Sequence, residues 1–176
     1  MQNVTIISTS LNPASRSQDL AARCRDSLRE RGVTVNHLDL RELDLPLAGS
    51  PGCWEHPDLA KLTTALEAAT HVVFAVPIYC YDVNAAAKNV IELVGRAFTG
   101  KVIAFICAAG GQGSYMSVMG LANHLMLDFR AVIVPRFLYA TKAAWSADGG
   151  LDPEIEGRLQ LLYEDMARIA VAPGTE

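Results

Sequence analysis

The stretch "IISTSLNPASRSQDLAARC", residues 6–24, decides the fold, because it changes from a strand pattern to a helix pattern. The β-branched run at 3–8 is typical of a strand that is covered on both faces. Apolar residues at helical spacing predict a helix over 16–32, which Gly32 is well placed to end. Between the two patterns lie five hydroxyl residues, an Asn and a Pro, with almost no charge.

The same alternation of strand and helix continues to the end of the chain. Strands are predicted over 3–8, 33–40, 71–76, 101–109 and 131–138, helices over 16–32, 58–69, 84–98, 115–129 and 153–170, and a long loop over 41–57. Five strands that are each followed by a helix predict an α/β three-layer sandwich, a parallel sheet with helices on both faces. The flavodoxin-like strand order 2-1-3-4-5 fits five strands better than the six-stranded dinucleotide order. We expect one such domain over residues 1–176.

Composition and charge exclude several classes of protein. A net charge of −4 argues against a nucleic-acid surface, which needs a basic face. The sequence contains no run of 18 apolar residues, so no membrane span is indicated, and the N-terminus shows no signal-peptide pattern. The four cysteines form no CxxC motif, and no His has the spacing of a zinc ligand, so we expect no metal site. A reduced, cytoplasmic chain is the simplest interpretation.

In such a sheet, ligands bind at the carboxyl ends of the strands where the strand order reverses, so the loops after strands one, three and four matter most. The first of them, "STSLNPASRS" (8–17), precedes a helix N-terminus, which attracts anions. It contains neither GxxxxGK[ST] nor GxGxxG, which favours a terminal monophosphate over a triphosphate or a pyrophosphate. The alternative is ordinary helix capping by Ser15 or Ser17.

The other two loops also have two interpretations each. The stretch "PIYCYDVNAAAKNVIELVG" (77–95) suits a planar ring system, although Tyr79 and Tyr81 could instead simply cover the sheet edge. The stretch "AAGGQGSY" (108–115) lets the backbone approach a ligand closely and supplies positive φ angles where these are needed, unless it is a flexible connection without a ligand.

Taken in this order, the three loops make the chain resemble the NADPH-dependent FMN reductase family of the flavodoxin-like fold. The resemblance extends from the first strand to about residue 130. The pattern S-x-S-L-N-P-x-S-x-S (8–17) is similar to the family's FMN phosphate loop, and P-I-Y (77–79) followed by K-N-V-I-E (88–92) is similar to its P-x-Y…L-K-N-x-I-D signature. The GGQG stretch (110–113) resembles its glycine turn beside the flavin ring.

The resemblance implies an FMN site, with NADPH or NADH as co-substrate. It assigns the FMN phosphate to Ser10, Asn12, Ser15 and Ser17, the ribityl chain and isoalloxazine edge to Pro77, Ile78, Tyr79 and Cys80, and the polar rim of the ring to Gly110, Gly111 and Gln112. The chain departs from the family pattern at four of its positions: Asn12 stands where Arg is frequent, Ile78 and Cys80 replace Glu and Asn, and Ala87 replaces Leu.

The implied function is that of an FMN-dependent NAD(P)H oxidoreductase, which passes electrons to a quinone, an azo dye, a metal oxyanion or free flavin. The alternatives are a flavodoxin-type electron carrier and a binding module without flavin. The bound flavin carries the chemistry, so no catalytic side chain is expected. Arg16 could meet the flavin phosphate or a 2′-phosphate, and Cys80 is either a redox thiol or a small packing residue. Trp54 and Trp145 either cap the ring or pack within their loops.

The predicted fourth helix is apolar on more than one face. Its large apolar residues are Met116, Met119, Leu121, Leu125, Met126 and Phe129, which exceed the stripe that one sheet contact needs. This excess predicts a second partner surface, and the family resemblance also points to a homodimer or homotetramer.

Overall fold

The computed structural model describes residues 3–170, which form a twisted sheet between two layers of helices. The strands are β1 (Asn3–Ser8), β2 (Thr34–Asp39), β3 (His71–Tyr79), β4 (Asp82–Val83), β5 (Val102–Ala109) and β6 (Val132–Thr141). The helices are α1 (Arg16–Glu30), α2 (Pro57–Glu67), α3 (Ala85–Val94), α4 (Met119–Phe129) and α5 (Pro153–Arg168). The parallel order is β2-β1-β3-β5-β6, with β4 antiparallel to β3. Apart from the two-residue β4, this confirms the predicted order 2-1-3-4-5 and the flavodoxin-like sandwich.

Each face of the sheet has its own apolar core, because the three central strands are buried on both sides. Helices α2, α3 and α4 pack on one face, and α1 and α5 pack on the other. On the first face, the ring of Phe74 lies 5.4 Å from that of Phe98 and 6.0 Å from that of Phe105, measured between centroids. The two cores hold the strand ends, and therefore the loops that follow them, in fixed relative positions.

The structure corrects the sequence prediction at two places near the carboxyl ends of the strands. The chain after β3 turns back as a hairpin with β4, and the two residues of its turn, Cys80 and Tyr81, have φ angles of 51° and 62°. Two consecutive residues with positive φ are typical of a type I′ turn. The fourth helix begins at Met119 and not at residue 115, because the glycine turn continues into a 3-10 turn over Gln112–Ser114.

Helices α3 and α4 approach each other closely at Gly95. A Cβ atom on Gly95 would lie 2.2 Å from the Cζ atom of Phe129, so any larger residue there would push the end of α4 away. Among residues 3–170, no helix is both long enough and apolar enough to span a bilayer.

Candidate functional site

The carboxyl ends of β1, β3 and β5 surround a pocket of about 200 Å³. It is lined by Ser10, Asn12, Ala14, Ser15, Arg16, Ser17, Pro77, Ile78, Tyr79, Ala108, Ala109 and Gly110. The structure therefore brings together eight of the eleven residues that the sequence assigned to a cofactor. The remaining three, Cys80, Gly111 and Gln112, lie on the turns that continue from Tyr79 and Gly110 and do not line this pocket.

The five hydroxyl residues of the first loop divide into two groups. The Ser8 hydroxyl lies 2.7 Å from Nε2 of His37, whose own pKa is lowered by burial, and the Thr9 hydroxyl lies 2.7 Å from Oδ1 of Asn84. These two hydroxyls are therefore bonded to other side chains of the protein and do not face the pocket. Ser10, Ser15 and Ser17 line the pocket, so only three of the five are available to a ligand there.

The loop combines helix capping with a group of hydroxyls that face the pocket. Ser15 is the N-cap of α1, and its Oγ accepts a hydrogen bond from the N–H of Gln18 at 3.3 Å. The same Oγ lies 2.9 Å from Oγ of Ser17. The capping alternative is therefore right for Ser15, and it coexists with the anion-site interpretation because the hydroxyls lie at the N-terminus of a 15-residue helix.

A buried side-chain pair joins the first loop to the loop after β3. The amide Nδ2 of Asn84 donates to the backbone carbonyl of Thr9 at 2.7 Å, and the Thr9 hydroxyl donates to Oδ1 of Asn84 at 2.7 Å. The backbone N–H of Thr9 donates to the carbonyl of Ala75 at 3.0 Å, which extends the pairing of β1 with β3. Sequence analysis missed Asn84, because an Asn that precedes a helix suggests a capping role. Its side chain makes no capping bond here.

The turn after Tyr79 carries Cys80 away from the pocket. Cys80 is exposed and borders a neighbouring depression of about 470 Å³, which Tyr79 and Asn84 also line. Tyr79 and Tyr81 are both more than half exposed, at 53% and 61%. Left-handed backbone suits Asn better than Cys, so Cys80 occupies a conformation for which the Asn frequent at this position is better adapted.

The glycine turn after β5 leaves space and does not rely on unusual backbone angles. Gly110, Gly111 and Gly113 all lack a positive φ, so none of the three is used here to supply left-handed backbone. A Cβ atom at any of the three would meet no atom within 4 Å, so packing does not require glycine there. The turn is thus open to close approach by a ligand.

Tyr139 of β6 holds this turn in place through a hydrogen bond and a ring contact. Its hydroxyl donates to the carbonyl of Gly111 at 2.7 Å, and its ring lies edge-on to that of Tyr115 at 5.4 Å. Burial raises the pKa of the Tyr139 phenol, which keeps the hydroxyl protonated and able to donate. Gln112 lies beside both tyrosines at a second depression of about 480 Å³. Sequence analysis missed Tyr139, because its strand lies beyond the matched motifs.

Trp54 does not contribute to the pocket. It lines a separate groove of about 920 Å³ between α2, α3 and α4, together with His124 and Leu127. Trp54 is 62% exposed there, so the structure shows it neither in the pocket nor packed within its loop.

Comparison with known proteins identifies the family. The sequence model of the NADPH-dependent FMN reductases matches residues 2–146, so the chain belongs to this family. The chain is accordingly an FMN-dependent NAD(P)H oxidoreductase, and FMN and NAD(P)H are its cofactor and co-substrate. A search of curated proteins found no match.

Solved structures with the same fold include several oxidoreductases. The apo form of an NADH:FMN oxidoreductase superposes with a TM-score of 0.82 at 16% identity, covering 98% of this chain and 92% of its own. The NAD(P)H:acceptor oxidoreductase FerB from Paracoccus denitrificans gives a TM-score of 0.75 at 20% identity, covering 95% of this chain and 96% of its own. An oxidoreductase from Corynebacterium diphtheriae gives 0.76 at 21% identity, with 95% of each chain covered. At these identities the likeness establishes the fold.

Proposed function

We propose that the pocket at the carboxyl ends of β1, β3 and β5 holds the phosphate end of FMN, and that the turns at its mouth hold the ring. The observation that carries this proposal is the convergence of three hydroxyls and a helix N-terminus with the backbone of Pro77–Tyr79 and Gly110 around one pocket. When bound, FMN supplies the hydride chemistry between NAD(P)H and an acceptor.

The residues of the chain have binding and orienting roles in this proposal. Ser10, Ser15 and Ser17 donate hydrogen bonds to the phosphate, and Asn12 has an amide N–H₂ left to donate, because only its Oδ1 is used, by the N–H of Ala14 at 3.0 Å. Pro77, Ile78 and Tyr79 line the ribityl chain and one edge of the ring, and Gly110, Gly111 and Gln112 face its polar rim, whereas Cys80 lies on the turn that leads away from the pocket.

Two features of the structure support the fit. A Cβ atom added to Gly110, Gly111 or Gly113 would meet no other atom within 4 Å. A flat ring therefore has room to lie against the backbone of this turn. The pocket, at about 200 Å³, is smaller than the roughly 300–1,000 Å³ of pockets that enclose a whole ligand. It therefore suits one terminal phosphate with part of its chain, with the ring lying outside it.

The first test is the identity of the bound flavin. We expect purified protein to carry FMN, or to bind it on incubation, because the loop closes around one phosphate and lacks GxGxxG. Mass analysis of the released flavin, followed by aerobic NADPH oxidation with and without added FMN, measures both parts. A protein that carries mainly FAD, or that takes up no flavin, would contradict the proposal. One that binds FMN without oxidising NAD(P)H would favour the electron carrier.

We propose that the electron acceptor is a small oxidised molecule. The candidates are quinones, azo dyes, metal oxyanions and free flavin. Among the similar structures, one is an NADH:FMN oxidoreductase, and FerB is an NAD(P)H:acceptor oxidoreductase whose acceptor is unspecified. A panel of these acceptors, each measured by the rate of NAD(P)H oxidation, would identify the preferred class.

We also propose that the protein is a homodimer or homotetramer that associates through α4. Leu121 and Leu125 of this helix are buried against the sheet, whereas Met119 and Met126 are 42% and 37% exposed. Leu127, next to them, is 77% exposed and lines the groove that Trp54 also borders. Several exposed large apolar side chains on one helix are better explained by a second copy of the chain than by contact with water.

A charge on this face is expected to split the oligomer. Met126→Glu would place an unpaired carboxylate in the interface, which is costly. The matched control is Leu161→Glu on α5, whose leucine is 42% exposed, against 37% for Met126. Size-exclusion chromatography with flavin absorbance on the same fractions would show a smaller species with less FMN for Met126→Glu and no change for Leu161→Glu. A wild-type monomer, or a split variant that retains full FMN affinity, would contradict the proposal.

Two further proposals concern the chain as a whole. We propose a cytoplasmic location, which the four free cysteines support because three of them are buried as small apolar residues. We also propose that residues 1–176 form one flavin-binding domain. Its first two residues and residues 171–176 lie outside the described part of the chain.

A further inference from the structure

Arg16 stands out in the pocket because of its charge. It is the first residue of α1, and among the described residues that line the pocket it is the charged one. The remainder of the lining consists of hydroxyls, the neutral amide of Asn12, backbone and apolar side chains. A phosphate dianion held there by the hydroxyls alone would have the helix N-terminus as its main source of positive potential.

The position of Arg16 is set by Trp145. The guanidinium carbon of Arg16 lies 5.6 Å from the centroid of the Trp145 ring, within the range of a cation–π contact. The indole Nε1 of Trp145 donates to Oδ2 of Asp19 at 2.8 Å, which fixes the ring against the first turn of α1. An exposed arginine without such a platform would lose more rotamer freedom on binding an anion.

The loop that carries Trp145 is itself well anchored. Trp145 pairs with Leu151 in an isolated β-bridge, and the N–H of Asp152 donates to the carbonyl of Ala144 at 2.8 Å. Arg23 of α1 donates to the carbonyl of Gly149 at 3.0 Å. The ring on which Arg16 rests is therefore part of a fixed structure.

The charge of Arg16 is left available. The nearby carboxylate of Asp19 is shared between Trp145 and Arg23, whose Nε lies 3.0 Å from Asp19 Oδ2. Within residues 3–170, Arg16 forms no ion pair of its own. Arg16 lines the hydroxyl-lined pocket, and an uncompensated guanidinium held by an aromatic ring beside it is suited to a phosphate, because its N–H groups can bind two oxygens at once.

We propose that Arg16 is the charged partner of the FMN phosphate, and that Trp145 and Asp19 are positioning residues that hold it at the pocket. This inference rests on the proposed function of the pocket. The arrangement distinguishes phosphorylated from unphosphorylated flavin, because the contribution of Arg16 depends on the phosphate and not on the ring.

The test compares the affinities of the flavin-free protein for FMN and for riboflavin, which lacks the phosphate. Arg16→Ala is expected to weaken FMN binding about tenfold and to change riboflavin binding less than about twofold. Arg16→Lys is expected to restore part of the loss, since it keeps the charge without the planar group. The matched control is Arg25→Ala on the same helix, where Arg25 pairs with Asp26 at 2.8 Å and lies outside the pocket.

The role of Trp145 is tested by its coupling to Arg16. Trp145→Leu is expected to weaken FMN binding about threefold in the wild-type background and to have no effect in the Arg16→Ala background. Trp145→Phe, which keeps a ring and is less disruptive to the loop, should fall between wild type and Trp145→Leu.

Three outcomes would overturn the inference while leaving the proposed FMN site intact. The first is an equal loss of FMN and riboflavin affinity in Arg16→Ala. The second is a Trp145→Leu effect that is the same in both backgrounds. The third is unchanged FMN affinity in Arg16→Ala with a raised KM for NADPH and not for NADH, which would assign Arg16 to the 2′-phosphate of the co-substrate. A wild-type protein that binds no FMN would instead overturn the proposed function.

Discussion

Removal of the two adjacent hydroxyls in Ser15→Ala with Ser17→Ala is expected to abolish FMN binding at micromolar concentrations of flavin. Each hydrogen bond to a charged group contributes about 1.5–3 kcal/mol, so two of them correspond to a loss of about 10²- to 10⁴-fold. The two oxygens lie 2.9 Å apart, so their contributions are coupled and single variants will not sum to the double one. Titration of the flavin-free protein with FMN, followed by fluorescence quenching, measures the loss.

The double variant also removes the N-cap of α1, which costs about 1 kcal/mol of stability. Ser15→Asp separates the two effects, because an Asp caps a helix as well as a Ser does while its carboxylate repels a phosphate. We expect Ser15→Asp to match wild type in urea unfolding and to bind FMN poorly. If Ser15→Asp binds FMN as tightly as wild type, the phosphate does not lie at this loop.

The second large effect is expected at Asn84, which joins the two loops that form the pocket. Asn84→Ala leaves the buried carbonyl of Thr9 without its side-chain donor, and we expect the free energy of unfolding to fall by about 2–3 kcal/mol. FMN affinity should fall more than tenfold as well, because the first loop loses its connection to the loop after β3. Urea unfolding of the flavin-free protein and FMN titration measure the two effects separately.

Asn89→Ala is the matched control for Asn84→Ala. Asn89 lies on α3, the helix that follows Asn84, and likewise uses both ends of its amide, with Nδ2 2.9 Å from the carbonyl oxygen of Pro46 and Oδ1 2.9 Å from the backbone nitrogen of Ala48. These bonds hold the loop before α2, away from the pocket. Asn89→Ala should therefore be destabilised without losing FMN affinity. An equal loss of FMN affinity in both variants would show that Asn84 acts only through global stability.

The strands could be predicted from the periodicity and length of the apolar runs, and their number favoured the flavodoxin-like order over the six-stranded dinucleotide order. Runs such as 71–76 and 101–109 are apolar throughout, which is typical of parallel strands covered on both faces. The β4 hairpin could not be predicted, because the turn residues Cys80 and Tyr81 carry neither the Asn nor the Gly that signals a type I′ turn. The pairing of β4 with the end of β3 imposes the turn, although Cys80 and Tyr81 have no local preference for positive φ angles.

Most residues that line the candidate pocket were predictable loop by loop, whereas the side-chain contacts that join and position those loops were not. Ser10, Ser15 and Ser17 share one loop with a recognisable composition. The partners of that loop come from distant segments, with Asn84 75 residues from Thr9 and Trp145 126 residues from Asp19. Composition and spacing carry no information on such pairs, and each residue has an ordinary local interpretation as a cap or a loop packing group.

The first loop has two halves that differ in burial, and this difference bears on how a cofactor enters and leaves. Ser8, Thr9 and Ser10 are 0%, 0% and 1% exposed, and the N–H of Thr9 is bonded to a central strand. Residues 11–14 are all exposed. Amides of the first half can exchange with solvent only in openings that approach global unfolding, whereas those of the second half need only local fluctuations. Movement of the outer half alone would therefore suffice for exchange of the cofactor, while the sheet stays folded.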